Sequence, residues 1–304
     1  MYISTKQMDN NFSNFQTPPN YYKRRLAAIF VFAIFFIFLG RHLTFLPTIN
    51  LSMKQGGEQL KENVEKIIKN KKGFYSVYYK DLKTGELFGI DENQIETGAS
   101  VNKLPIITAL YLLDKKGKLS LDDKVTIQKE DVQDYGTGSI RYQKMPQVYS
   151  LRNLAKLALQ QSDNTAAHVL SLRIGEENVQ KLVDSWGLKQ TDMVNNKTTV
   201  YDMSLLFEKI YRGEIANPAN TKELLEFMTE TEFEDRLTKS LPSGTKIYHK
   251  TGDGEGFVHD LGIIENGDQV YFLGVMTSDI GDQEEQTKNT IAEISKKIFE
   301  SLNN

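Results

Sequence analysis

The chain has 304 residues, 39% hydrophobic and 25% charged. That is enough for one domain with a sizeable core plus an appendage, and it is unlike a disordered polymer or a polytopic membrane protein. The net charge of −3 conceals a basic N-terminal segment ahead of an acidic body, which argues against nucleic acid as a partner. With no cysteine in the chain, disulfides and thiolate nucleophiles are excluded, and stability must come from the core.

Residues 1–25 form a basic tail ending in Lys23-Arg24-Arg25, and the uncharged run LAAIFVFAIFFIFLG follows from Leu26 to Gly40. At about 1.5 Å per residue this run spans roughly 22 Å of a hydrocarbon core about 30 Å thick. Leu43 to Leu46 complete the crossing while Arg41 snorkels, so residues 26–47 are expected to be a transmembrane signal-anchor. No small-x-small cleavage site follows, because Gly40 leads into Arg41 and His42, and retention of the helix is expected. The positive-inside rule then puts residues 1–25 in the cytoplasm and everything after Thr48 outside, on a single-pass protein of the cell membrane.

A polar linker is expected over 48–57, overlapping the start of an amphipathic helix over 55–72. Phe74 to Tyr79 and Leu87 to Ile90, joined by Lys83-Thr84-Gly85, predict a β-hairpin. A mostly helical middle runs from about Ser100 to Met228. Strands are expected at 245–251, 257–264 and 269–277, with Glu265-Asn266-Gly267-Asp268 turning between the last two, and a helix at 287–302. Strands at both ends with helices between them imply an α+β fold, an α/β/α sandwich around one antiparallel sheet that abuts a helical lobe. The sheet lobe would comprise 58–99 and 243–302, and the helical lobe 100–242.

Three short motifs stand in order: Ser100-Val101-Asn102-Lys103, Ser162-Asp163-Asn164 and Lys250-Thr251-Gly252. Serine followed by lysine at i+3 is weak alone, and a second copy exists at Ser243-Gly244-Thr245-Lys246. That copy lies behind Pro242 in a turn, whereas Ser100 opens a helical pattern whose i and i+3 positions share a face. Lys103 can then serve as the base that a poorly nucleophilic hydroxyl requires. Lys250, a second cation, favours the neutral form of Lys103. Ser162 can relay a proton to a leaving nitrogen, and Asn164 offers an amide to Lys103 or substrate. Lys250 and Thr251 suit a substrate carboxylate, and Gly252 permits close backbone approach. Each motif has a plainer reading: a helix cap with a solvated lysine, an N-cap for the helix after Asp163, and a strand running into a glycine-rich turn. Their joint occurrence in this order favours chemistry.

This set resembles the class A β-lactamases and penicillin-binding proteins over about residues 58–302. Asp131-Val132-Gln133-Asp134-Tyr135 is similar to the family loop whose aromatic flanks the site, and Thr198-Thr199-Val200-Tyr201-Asp202-Met203 to the family's Thr-Thr-x-x-x-Met helix start. The resemblance implies a β-lactamase/transpeptidase-like fold, a Ser100 acyl-enzyme with Lys103 and Ser162 as catalytic partners, and substrate binding by Asn164, Lys250, Thr251, Gly252, Asp253 and Tyr135. It further implies an oxyanion hole from the backbone N–H groups of Ser100 and Asp253. Neither metal nor cofactor is implied. One departure matters: the connection Gly187 to Lys197 is too short for the family's Ω loop and holds no Glu, while Glu176 and Glu177 come too early. Asp192 is the carboxylate available there, and it reads better as an exposed loop residue. The family's C-terminal arginine near the carboxylate site is also missing from Thr277-Ser278-Asp279.

The expected function is therefore opening of β-lactam amides through an acyl-enzyme with slow deacylation, by a monomer. A D,D-carboxypeptidase or transpeptidase on peptidoglycan stems, and an acylated sensor that does not turn over, are the alternatives. His42, His168, His249 and His259 lack metal-ligand spacing, and no G-x-S-x-G occurs, so metal and Ser-His-Asp hydrolases are disfavoured. His249 is expected on the strand face opposite Lys250, and His259 near the site, both in structural roles.

Overall fold

Alternation along the first hairpin strand decides where the core lies. In β1 (Phe74–Asp81), Val77 and Tyr79 are fully buried against one set of residues while Tyr78 is buried against another, as expected of a strand with both faces covered. A computed structural model describes the chain from Leu51 to Asn303. The expected basic tail and signal-anchor lie outside the described residues. β1 pairs with β2 (Leu87–Ile90), and the three later strands are β7 (Lys246–Gly254), β8 (Phe257–Asn266) and β9 (Gln269–Ser278). The five form one antiparallel sheet in the order β2-β1-β9-β8-β7. Both ends of the chain thus contribute to one sheet, and β7, which carries Lys250-Thr251-Gly252, lies at its edge.

One face of the sheet presents Val77, Tyr79, Ile264, Tyr271 and Val275 to α1 (Leu51–Ile68) and α8 (Glu284–Leu302). Ile291, Ile294 and Ile298 line one side of α8 at helical spacing, fully buried beside Leu60 and Val64 of α1. Each such aliphatic side chain contributes about 1.5–3 kcal/mol by leaving water. The other face, with Leu261, Ile263, Phe272 and Met276, packs on the helical lobe around α2 (Lys103–Lys115). Leu104, Ile107, Leu110 and Tyr111 of α2 are completely buried, so the helix that follows Ser100 is held by its core from all sides.

The sheet and the terminal helices agree with expectation, with two corrections. The first helix begins at Leu51, inside the stretch expected as linker. Gly56 and Gly57 are close-approach positions, since a Cβ at Gly57 would lie 2.9 Å from the Leu87 carbonyl. The middle is also interrupted by a pair of strands, β4 (Lys124–Ile127) and β5 (Gln147–Ser150), with no tight turn between them to mark the pair.

Candidate active site

Ser100 lies on a single 3-10 turn, Ala99–Asn102, and the α-helix proper starts at Lys103. Ala99 before it has φ 46°, a left-handed conformation that a non-glycine residue adopts only when its surroundings hold it. The strand end opposite does so: a Cβ on Gly252 would stand 3.1 Å from both the Gly98 carbonyl and Val101 Cγ2. Gly252 therefore permits close approach to the turn that carries Ser100.

Lys103 is 8% exposed, and its ammonium is directed at the second motif. Nζ donates to the Ser162 carbonyl, to Ser162 Oγ at 3.1 Å and to Asn164 Oδ1 at 2.6 Å. Among the described residues no hydrogen bond links it to the Ser100 hydroxyl, so the shared helical face places Lys103 next to Ser100 while Ser162 and Asn164 orient it. Lys250, also buried, donates to the same Ser162 Oγ at 3.0 Å and to the Thr251 carbonyl at 3.0 Å. One hydroxyl thus bridges two lysines. Burial pushes the Lys103 amine well below the usual lysine range, and the neighbouring Lys250 adds to this, while Asp163 opposes it. Lys250 is lowered to about 7, chiefly by burial, with Asp253 and Asp260 working the other way. The pair therefore favours a neutral amine beside Ser100, which is what proton abstraction needs.

The second motif is locked by the loop before it. Ser162 sits at φ 53°, between α3 (Leu151–Gln160) and α4 (Asn164–Ile174). Its carbonyl accepts from Thr137 Oγ1 at 2.8 Å, and Asn164 Nδ2 donates to the Tyr135 carbonyl at 3.0 Å. Asp163 is used structurally, as its plainer reading has it. Its carboxylate caps α4 through Ala166 N–H at 2.9 Å and accepts from Ile140 N–H at 2.9 Å, a helix-start arrangement worth about 1 kcal/mol. Gly138, at φ 113°, lies where any side chain would collide with Asp163. Tyr135 itself is 64% exposed at the rim.

These elements enclose a cleft of about 720 Å³ lined by Ser100, Lys103, Ser162, Asn164, Thr251 and Asp253, with Tyr135 at its edge. Of the residues singled out in the sequence, Lys250 and Gly252 do not line it. Lys250 acts from behind Ser162, and Gly252 packs under Ser100. A larger cavity of about 1130 Å³ opens at the other end of β7 beside Tyr211, Leu225 and Tyr248, but it holds neither of the paired lysines nor the Ser100 turn. The second S-x-x-K serine, Ser243, is on its wall.

Sequence reasoning missed Arg236. Its side chain is 1% exposed and grips Asp253 through two bonds, Nη1 to Oδ1 at 2.6 Å and Nη2 to Oδ2 at 3.0 Å, while Nη1 also donates to the His259 carbonyl at 2.9 Å. Burial alone would lower its pKa, yet Asp253, Asp260 and Asp235 hold it above the ordinary arginine value. A guanidinium thus reaches the third motif from the loop before β7. The sequence signal was Asp253 itself, a carboxylate directly after Lys-Thr-Gly that needs a cation. His249 is buried away from the cleft, bonded to Asp260 at 2.8 Å and Glu234 at 3.2 Å. His259 does not line the site. Its Nδ1 accepts from Thr277 N–H and its Nε2 donates to the Thr97 carbonyl at 2.9 Å, fixing one neutral tautomer, and burial lowers its pKa to about 4.

The short connection is a tight turn in which Asp192 and Lys197 exchange backbone hydrogen bonds of 2.9 Å. It is stapled to the strand before Ser100 by pairing of β3 (Glu96–Thr97) with β6 (Lys197–Thr198), and by Gly98 N–H to the Asn196 carbonyl at 2.8 Å. Asp192 caps this turn through Asn195 N–H at 3.0 Å and Asn195 Nδ2 at 2.7 Å and is absent from the cleft wall, whereas Met193 and Asn196 line it. Glu176, at the start of α5 (Glu176–Ser185), reaches the cleft despite its early place in the chain.

A family model described as the Beta-lactamase enzyme family matches residues 59–302. The chain belongs to this family. A β-lactamase of Bacteroides uniformis is 26% identical over 226 residues, which cover 64% of this chain and 75% of that protein. Among solved structures, PBP-A superposes with TM-score 0.75 at 25% identity, covering 81% of this chain and 96% of that one. A β-lactamase from Chitinophaga pinensis has the same fold, with TM-score 0.77 at 24% identity over 81% of this chain and 100% of its own.

Proposed function

We propose that this β-lactamase family member is a serine hydrolase that opens β-lactam amides through an acyl-enzyme on Ser100. The observation that carries the reading is the pair of buried lysines sharing the Ser162 hydroxyl beside the Ser100 turn. Neutral Lys103 accepts the Ser100 proton as Oγ adds to the lactam carbonyl, and the backbone N–H groups of Ser100 and Asp253 receive the developing oxyanion. The C–N bond then breaks, Ser162 protonates the departing nitrogen, and the lysines return a proton to Ser162. Thr251 meets the substrate carboxylate, with the Lys250 cation acting on it from behind Ser162, and Asn164 and Tyr135 lie along the acyl side.

The absence of a glutamate at 187–197, whose one carboxylate, Asp192, is spent on Asn195, supports slow release of the acyl group. The basic cluster before the Leu26–Gly40 run supports a body held outside the cell by an uncleaved anchor. Incubation of the chain with a labelled penicillin, followed by peptide mass spectrometry, tests the reading. One adduct at Ser100 is expected, lost in Lys103→Ala. Label at Ser243, or none on folded protein, contradicts it. Rapid release from D-Ala-D-Ala peptides alone would instead mark a peptidase.

A further inference from the structure

The side of the cleft that the short turn leaves open carries groups that the acylation chemistry does not use. α4 presents Asn164 and, one turn later, His168. Residues four apart share a helix face, and both line the cleft with Ser100. Asn164 is committed to Lys103 at 2.6 Å. The His168 ring is half-buried and, among the described residues, has no hydrogen bond or ion pair.

A second observation lies across the cleft. Asn102, two residues from Ser100 and 5% exposed, donates through Nδ2 to Asn196 Oδ1 at 2.8 Å, but its own Oδ1 is buried with no hydrogen-bond partner. Asn102 thereby ties the Ser100 turn to Asn196 of the short turn, and its oxygen, closed off from solvent, does not itself position a water.

We propose that His168 is the catalytic base of deacylation, acting on a water that enters the cleft it shares with Ser100; this rests on the Ser100 acyl-enzyme reading. The water gives a proton to the unprotonated ring nitrogen of His168 as its oxygen adds to the ester carbonyl. The tetrahedral intermediate expels Ser100 Oγ, which takes that proton back from the imidazolium, leaving the free acid and the serine. The charged groups facing this space are Lys103 from α2, Glu176 from α5, Asp253 and Glu255 from the end of β7 and its turn, and Glu284 from α8. Asp253 is paired with Arg236 and Glu284 with Lys288, which leaves Glu176 and Glu255 to compensate the transient imidazolium, while Lys103 is held by Ser162 and Asn164.

The test compares wild type, His168→Gln and His168→Ala by intact mass after a pulse of a penicillin. Glutamine is a good helix former at this position. Adduct formation at the wild-type rate is expected in both variants, with decay slowed by about 10²-fold, as loss of a general base implies. Added imidazole should speed decay in His168→Ala and not in His168→Gln, a response that a merely structural role would not produce. An unchanged adduct lifetime, or loss of the adduct in the variants alone, overturns the assignment of His168. A wild type without adduct at Ser100 overturns the acyl-enzyme reading, and this proposal with it.

Discussion

The two walls of the cleft differ in how completely they are tied down. On the acylation wall, Lys103, Ser162, Asn164 and Lys250 are linked by short hydrogen bonds, and the loop from Tyr135 to Ile140 pins them from outside. On the facing wall the turn at 187–197 offers side chains from Met193 and Asn196, and the carboxylate it possesses is spent on Asn195. Preorganised groups accelerate only the step at which they are aimed. Under the Ser100 acyl-enzyme proposal, the contrast teaches that one half of a two-step hydrolysis can be fully built while the other rests on fewer groups.

The comparison is most severely tested at Lys103. Lys103→Ala should lower the acylation rate by 10³-fold or more, in line with the loss of a positioned base, measured by stopped flow with a chromogenic β-lactam on protein shown to be folded by circular dichroism. Wild-type acylation in that variant would break the account of this wall. Because Lys250 depresses Lys103, Lys250→Ala should move the acid limb of acylation to higher pH. A limb that stays in place would show that burial alone tunes Lys103.

Arg236 ties the third motif to the rest of the fold. Arg236→Ala leaves Asp253 without its partner and the His259 carbonyl without a donor. Breaking a fully buried ion pair costs about 3–5 kcal/mol, and because Asp253 is 39% exposed a loss of about 2–3 kcal/mol is expected from urea unfolding. A change under about 0.5 kcal/mol would place Asp253 in water rather than in the pair.

His249 gives a pH-dependent contribution beneath the site. Burial by itself would lower its pKa, but Asp260 and Glu234 overcome this and raise it to about 9. A raised histidine stabilises the fold fully below its unfolded value of about 6.5, and the contribution is lost as pH climbs through about 9. His249→Gln should therefore cost on the order of 2 kcal/mol more at about pH 6 than at about pH 10, measured by thermal or urea unfolding of both proteins. An equal deficit at both pH values would contradict the assigned charge. The smallest effect is expected at Asp192: Asp192→Asn should leave turnover within about twofold of wild type, since its carboxylate caps a turn outside the cleft.

Much of the fold was legible in the sequence, for identifiable reasons. The long strands of the sheet and the terminal helices carry strong apolar periodicity, and the serine-lysine, Ser-Asp-Asn and Lys-Thr-Gly motifs encode contacts that local spacing nearly fixes. β4 and β5, four residues each, have no tight turn joining them such as Lys83-Thr84-Gly85, which marks the equally short β2. Arg236 was invisible because its role depends on a loop meeting the end of β7, a contact that no local pattern encodes. His168 could be found only by following the helix face from Asn164 past the motif that ends there.

The central claim, a complete acylation wall facing a reduced deacylation wall, is tested most directly by pre-steady-state kinetics with a chromogenic β-lactam. A burst of one product per enzyme, then a steady rate slower by about 10²-fold or more, is the predicted result. Fast linear hydrolysis from the first turnover, with no acyl-enzyme on Ser100 in the quenched mass spectrum, would contradict it.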